Sequence, residues 1–120
     1  VTALRDIAAG LDAEVLTHAD RARRLEVSRA RAANTVSELL MCGGPSTLLV
    51  TELAGSHLVR VAELLDVPCL CLLGPNAPSA RFVEAAARVG TVVLRAEGRL
   101  DEAEGLLRHL GVRVAGEGRQ

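Results

Sequence analysis

LLVTELAGSHLVRVAELLDVPCLCLLGPNAPSARFVEAAARVGTVVL, residues 48–94, is the stretch that decides the fold. Leu48-Leu49-Val50 is apolar without interruption, and so is the run from Cys69 to Leu73. A strand with one face in water alternates apolar and polar residues. These runs do not alternate, so they read as strands covered on both faces. Each is followed by apolar residues at helical spacing. Leu58, Val61, Ala62 and Leu65 form one inner face after Gly55-Ser56. Phe82, Ala85, Ala86 and Val89 form the next after Pro78-Ser79, each 24 residues beyond its counterpart. The pattern is that of two successive β-α units. A third follows, with a strand from Thr91 to Leu94, a turn at Ala96-Glu97-Gly98, and a helix whose inner face is Ala103, Leu106, Leu107 and Leu110. Apolar strands alternating with amphipathic helices predict an α/β fold: one small domain, a mainly parallel sheet with helices on its faces, and β-α units filling the C-terminal two-thirds.

Upstream the signals are weaker. Leu4, Ile7, Ala8 and Leu11 predict a helix over residues 2–11. Short strands are expected at Ala13 to Leu16 and around Leu25 and Val27, with a polar loop from His18 to Arg24 between them. Thr35-Val36-Ser37-Glu38 is a capping-box pattern for a brief helix through Met41, broken by Gly43-Gly44-Pro45. The domain is expected to span residues 1–114, with 115–120 as a disordered tail.

Composition excludes several classes. Apolar residues make up 49% of the 120 and the only aromatic is Phe82, so the core must be aliphatic. A net charge of −1, with no basic stripe interleaved with aromatics, argues against nucleic acid as a partner. All 14 basic residues are Arg. The absence of Lys reads as the codon bias of a GC-rich, bacterial genome. It also removes Schiff-base chemistry and the Lys of a P-loop. No apolar run of about 18 residues spans a membrane, and no basic segment followed by an apolar one opens the chain. With three Cys and no disulfide framework, the expected compartment is the cytoplasm.

No complete catalytic constellation is found, so no enzyme activity, cofactor or metal is expected. G-x-x-x-x-G-K and G-x-G-x-x-G are both absent. Cys69 and Cys71, two apart in a strand, share one face and read as small buried hydrophobes, with no third ligand nearby in sequence. Cys42-Gly43-Gly44-Pro45-Ser46-Thr47 resembles the phosphocysteine loop of sugar phosphotransferase B components. A carrier role for Cys42 is therefore an alternative, and it requires residues 46–53 to be helical. The acidic residues Asp101, Glu102 and Glu104 are explained by the dipole of the helix they open.

The order of the pieces resembles the DRTGG domain family over nearly the whole chain. Its carriers are Ile7 with Leu11, Ala13-Glu14-Val15-Leu16, Leu48-Leu49-Val50-Thr51, Ala62 before Leu64-Leu65-Asp66, Cys69 to Gly74 with Pro78, and Ala86 with Gly90. The name-giving string is absent, and the loop after Thr51 reads Glu52-Leu53-Ala54-Gly55-Ser56-His57. The resemblance implies a non-catalytic regulatory or assembly module. Such domains look like the N-terminal domain of HPr kinase/phosphorylase and occur in phosphate acetyltransferases and beside CBS domains in some pyrophosphatases. It further implies a homodimer that senses a small anionic metabolite or nucleotide. The alternative is a pure interaction module that binds a partner protein.

A ligand of an open parallel sheet sits at the C-terminal ends of the strands. The expected contacts are Thr51, Gly55, Ser56 and His57 in one loop, Gly74, Asn76 and Ser79 in the next, and Arg95. Helix N-termini near Ser56 and Ser79 offer unpaired N–H groups to an anion.

Overall fold

The computed structural model describes residues 1–75 and 77–116. In chain order the elements are β1 (Thr2–Ala3), α1 (Leu4–Leu11), β2 (Glu14–Val15), α2 (Ala19–Ala22), β3 (Glu26–Val27), β4 (Arg29–Ala32), α3 (Val36–Leu39), β5 (Thr47–Thr51), α4 (His57–Leu65), β6 (Cys69–Leu73), α5 (Ala80–Arg88), β7 (Val92–Ala96), α6 (Leu100–His109) and β8 (Arg113–Gly116). Six strands form one sheet in the order β2-β7-β6-β5-β4-β8. All of its pairings are parallel except that of β2 with β7. β1 and β3 form a separate antiparallel pair. The α/β architecture and the three β-α units are as expected.

The apolar runs are buried on both faces because each face has its own helical layer. Leu48, Val50, Cys69, Cys71, Leu73, Val92 and Leu94 pack with Leu4, Ile7, Ala103 and Leu107 of α1 and α6. Leu49, Leu70, Leu72 and Val93 pack on the other side with Leu58, Ala62, Phe82 and Ala86 of α4 and α5. At about 25 cal/mol per Å², this two-sided burial is the main term holding the chain together. No helix among the described residues is long and apolar enough to cross a membrane.

Several local expectations are corrected. Thr2 and Ala3 belong to β1, so the first helix starts at Leu4. The stretch from His18 to Arg24 contains a helical turn, α2, whose Ala22 is buried. His18 Nε2 lies 2.8 Å from the Ala87 carbonyl, and Arg21 donates to the Gly90 carbonyl. Two cationic-type side chains thereby satisfy the carboxyl end of α5, where the helix dipole favours them. Val89 is not an inner-face residue: α5 ends at Arg88, the helical period ends with it, and Val89 is 41% exposed.

Beyond β1, two further strands were not foreseen. β4 reads Arg-Ala-Arg-Ala, and its buried residues, Ala30 and Ala32, carry too little apolar area to signal a strand. β8 takes in Ala115 and Gly116, which the sequence reading placed in the tail; residues 117–120 lie outside the described residues. Pairing with β4 recruits β8, from Arg29 opposite Arg113 to Ala32 opposite Gly116.

Candidate functional site

β4, β5, β6 and β7 run parallel and end at one edge, so the loops after Thr51, Leu73 and Ala96 leave the sheet together. Near that edge, register aligns Glu14, Arg95, Leu72 and Thr51 in one row across four strands. Residues in such a row share a face, here the face of α4 and α5.

Thr51 is fully buried, and its Oγ1 accepts from the Leu53 amide at 3.1 Å. It shapes the turn out of β5 and offers no surface to a ligand. Ser79 caps α5, its Oγ accepting from the Phe82 amide at 3.1 Å. Ser56 precedes α4 without capping it through its side chain, and it is exposed together with His57. The His57 ring lies over Gly55, so a side chain at position 55 would require the exposed ring to turn away. Gly74 has φ +130°, which L side chains rarely adopt, and its amide donates to the Ala96 carbonyl at 3.1 Å. Asn76 lies outside the described residues.

Arg95 reaches from β7 under this loop. Its Nη2 donates to the Pro75 carbonyl at 2.6 Å, and its Nη1 is 3.9 Å from Glu14 Oε1. Its Nε is enclosed and has no partner among the described residues. Arg95 also borders an open depression of about 360 Å³, with Asp12, Glu14 and Glu97 on its rim. The edge thus gathers Arg95 with Gly74, and Gly55 with Ser56 and His57. Thr51 and Ser79 are spent on internal hydrogen bonds.

Sequence reasoning missed the polar clamp at this edge. Asn34 Nδ2 donates to Glu52 Oε1 at 3.0 Å, and the Glu52 amide donates back to Asn34 Oδ1 at 2.8 Å. Glu52 Oε2 accepts from the Leu100 amide at the start of α6, at 3.0 Å. One carboxylate therefore ties the loops after β4, β5 and β7. An acidic residue directly after β5 was the visible signal, but its partners follow strands distant in sequence.

Cys42 is half-buried, and the segment after it is β5, a strand at Thr47–Thr51. A phosphocysteine loop would have to open a helix there, and the loop therefore lacks the helix N-terminus that such a carrier uses to activate its thiolate. Cys69 and Cys71 are fully enclosed, and burial pushes both thiols up from 9.0 to about 12.

No known family model matches the sequence, and no curated protein matches it. The structure is similar to the crystal structure of the CBS and DRTGG domains of the regulatory region of Clostridium perfringens pyrophosphatase, complexed with activator, diadenosine tetraphosphate. The TM-score is 0.73 at 18% identity, over 93% of this chain and 48% of that one. The chain spans about half the length of this neighbour. Its fold is DRTGG-like.

Proposed function

We propose that this DRTGG-like chain is a non-catalytic regulatory module that senses a small anionic metabolite or nucleotide. The observation that carries the reading is the fold itself: nearly the whole chain superposes on a regulatory region solved with a nucleotide activator. The proposed ligand position is the C-terminal edge of the sheet, with Arg95 and His57 supplying cationic and hydrogen-bonding groups. Gly55, Ser56 and Gly74 supply close-approach backbone, and Asn76, two residues beyond Gly74 in the sequence, is proposed with them. Thr51 and Ser79 act there by holding the two loops in shape. The Arg95 Nε, enclosed and unpartnered among the described residues, favours this corner.

The test is a melting screen against nucleotides including diadenosine tetraphosphate, acyl phosphates and CoA compounds. A ligand that binds only the native state, at a hundred times its Kd, stabilises by about 2.7 kcal/mol. The expected result is a rise in melting temperature that Arg95→Ala removes. No shift with any of these compounds, or an undiminished shift in Arg95→Ala, overturns the reading.

A second reading, an assembly module that homodimerises or binds a partner protein, draws on the apolar surface. Met41 and Leu64 are 77% and 72% exposed. Their segments are tied together by the Gly44 amide, which donates to the Leu65 carbonyl at 2.9 Å. Light scattering at micromolar concentration separates the cases: a dimer is expected, and a monomer refutes the homodimer.

A further inference from the structure

We infer that the opposite end of the sheet holds a phosphate-binding site built on Arg29 and Arg113, with a phosphorylated small molecule as its ligand. Arg29 opens β4 and Arg113 opens β8, and the two are register partners in the parallel pairing of these strands. Register partners in a parallel pair project to the same face, on strands about 4.8 Å apart. Two arginines are thus set on one face at neighbouring strand starts, an arrangement that like charges disfavour. Among the described residues, the ion pairs involve Arg23, Arg95, Arg99 and Arg108, and neither Arg29 nor Arg113 has a carboxylate within 4.0 Å. The pair calls for an anion.

The surroundings fit one. Ser28, Arg29, Pro45, Ser46, Gly111 and Arg113 line an open depression of about 450 Å³, with no acidic residue among the described residues of its wall. Arg29 is held in place: its Nη2 donates to the Gly43 carbonyl at 2.8 Å and its Nε to Thr47 Oγ1 at 3.3 Å. Thr47 Oγ1 in turn donates to the same Gly43 carbonyl at 3.0 Å. A guanidinium has five N–H donors, so both protons of Nη1 and one of Nη2 stay available. Gly44 sits beside Arg29 Nη2 at φ +113°, a conformation that favours glycine, so no side chain covers the guanidinium from that position. A preorganised guanidinium, with a second arginine lining the same depression, suits the several oxygens of a phosphate. No aromatic side chain is among the described residues that line the depression. Recognition runs through the phosphate and not through a base.

The site is independent of the C-terminal edge, and the test keeps the two apart. The chain is titrated with inorganic phosphate, pyrophosphate, ribose 5-phosphate and ATP at matched ionic strength, followed by amide shifts and by melting temperature. Saturable binding is expected, with shifts centred on Ser28, Arg29, Ser46 and Arg113. Affinity for pyrophosphate, read at these amides, should fall at least tenfold in Arg113→Gln and in Arg29→Lys. Tighter binding of ribose 5-phosphate than of inorganic phosphate identifies an ester as the ligand; equal binding identifies the free anion, and both keep the site. Arg113→Gln also separates binding from folding: without phosphate its melting temperature should equal or exceed the wild type, and pyrophosphate should no longer raise it. Absence of saturable binding at millimolar pyrophosphate overturns the proposal. So does unchanged affinity in Arg113→Gln, or ATP shifting these same amides at far lower concentration than pyrophosphate does.

Discussion

Glu52 and Asn34 exchange two hydrogen bonds across neighbouring strand ends, each residue donating once to the other. The second oxygen of Glu52 holds the first amide of α6. One exposed side chain thus sets the spacing of three loops at the edge where ligands of parallel sheets collect.

Glu52→Ala should therefore loosen this edge more than its exposure suggests. Hydrogen bonds to a charged acceptor contribute about 1.5–3 kcal/mol when shielded, and solvent reduces that to about 1 kcal/mol here. Urea denaturation should show the unfolding free energy falling by that amount, through a lower midpoint at unchanged slope. Hydrogen exchange should accelerate at the Leu100 amide.

Thr17 is buried, and its Oγ1 donates to the Thr91 carbonyl at 2.7 Å while accepting from the Val93 amide at 2.8 Å. Thr17→Val keeps the shape and leaves both backbone groups without a partner, at about 2 kcal/mol. Thr17→Ser should recover most of the loss in the same denaturation experiment.

Phe82 is 1% exposed and is the largest side chain in the layer formed by α4 and α5. Phe82→Ala should cost about 3–5 kcal/mol, through lost transfer energy and the cavity left behind. For a domain whose whole stability is of order 5–15 kcal/mol, this approaches unfolding at body temperature. A calorimetric melt of the variant checks it.

Cys69 and Cys71 should make the fold sensitive to alkali. Burial, and for Cys69 also the neighbouring Cys71, raises both thiols from 9.0 to about 12 in the folded chain. Below pH 9 both states keep these protons and stability is unaffected. Between about 9 and 12 the unfolded chain loses them first, so stability falls with rising pH, by up to about 1.4 kcal/mol per pH unit per thiol. With no Lys and no Tyr in the sequence, little else titrates in that window. The slope should vanish in the Cys69→Ala/Cys71→Ala double variant. In the native protein at pH 8, a thiol reagent should label Cys42 and leave the other two untouched.

The three C-terminal β-α units were legible in the sequence because burial on both faces removes alternation from a strand. Leu48 to Val50 and Cys69 to Leu73 carry that signature within a few residues. The caps were legible for a similar reason: Thr35 and Ser79 act on amides three positions away. The sequence by itself also determined that the core is aliphatic and that these 120 residues hold no lysine amine. Only the tertiary structure decided the role of the Arg-Ala-Arg-Ala segment, whose alanines become core residues once α6 covers them. It alone recruited β8, brought Glu52 to Asn34 and Leu100, and set Arg29 beside Arg113. Those partners are distant in the chain, and neither periodicity nor local propensity encodes which strand lies next to which. Register does, and register is a property of the assembled sheet.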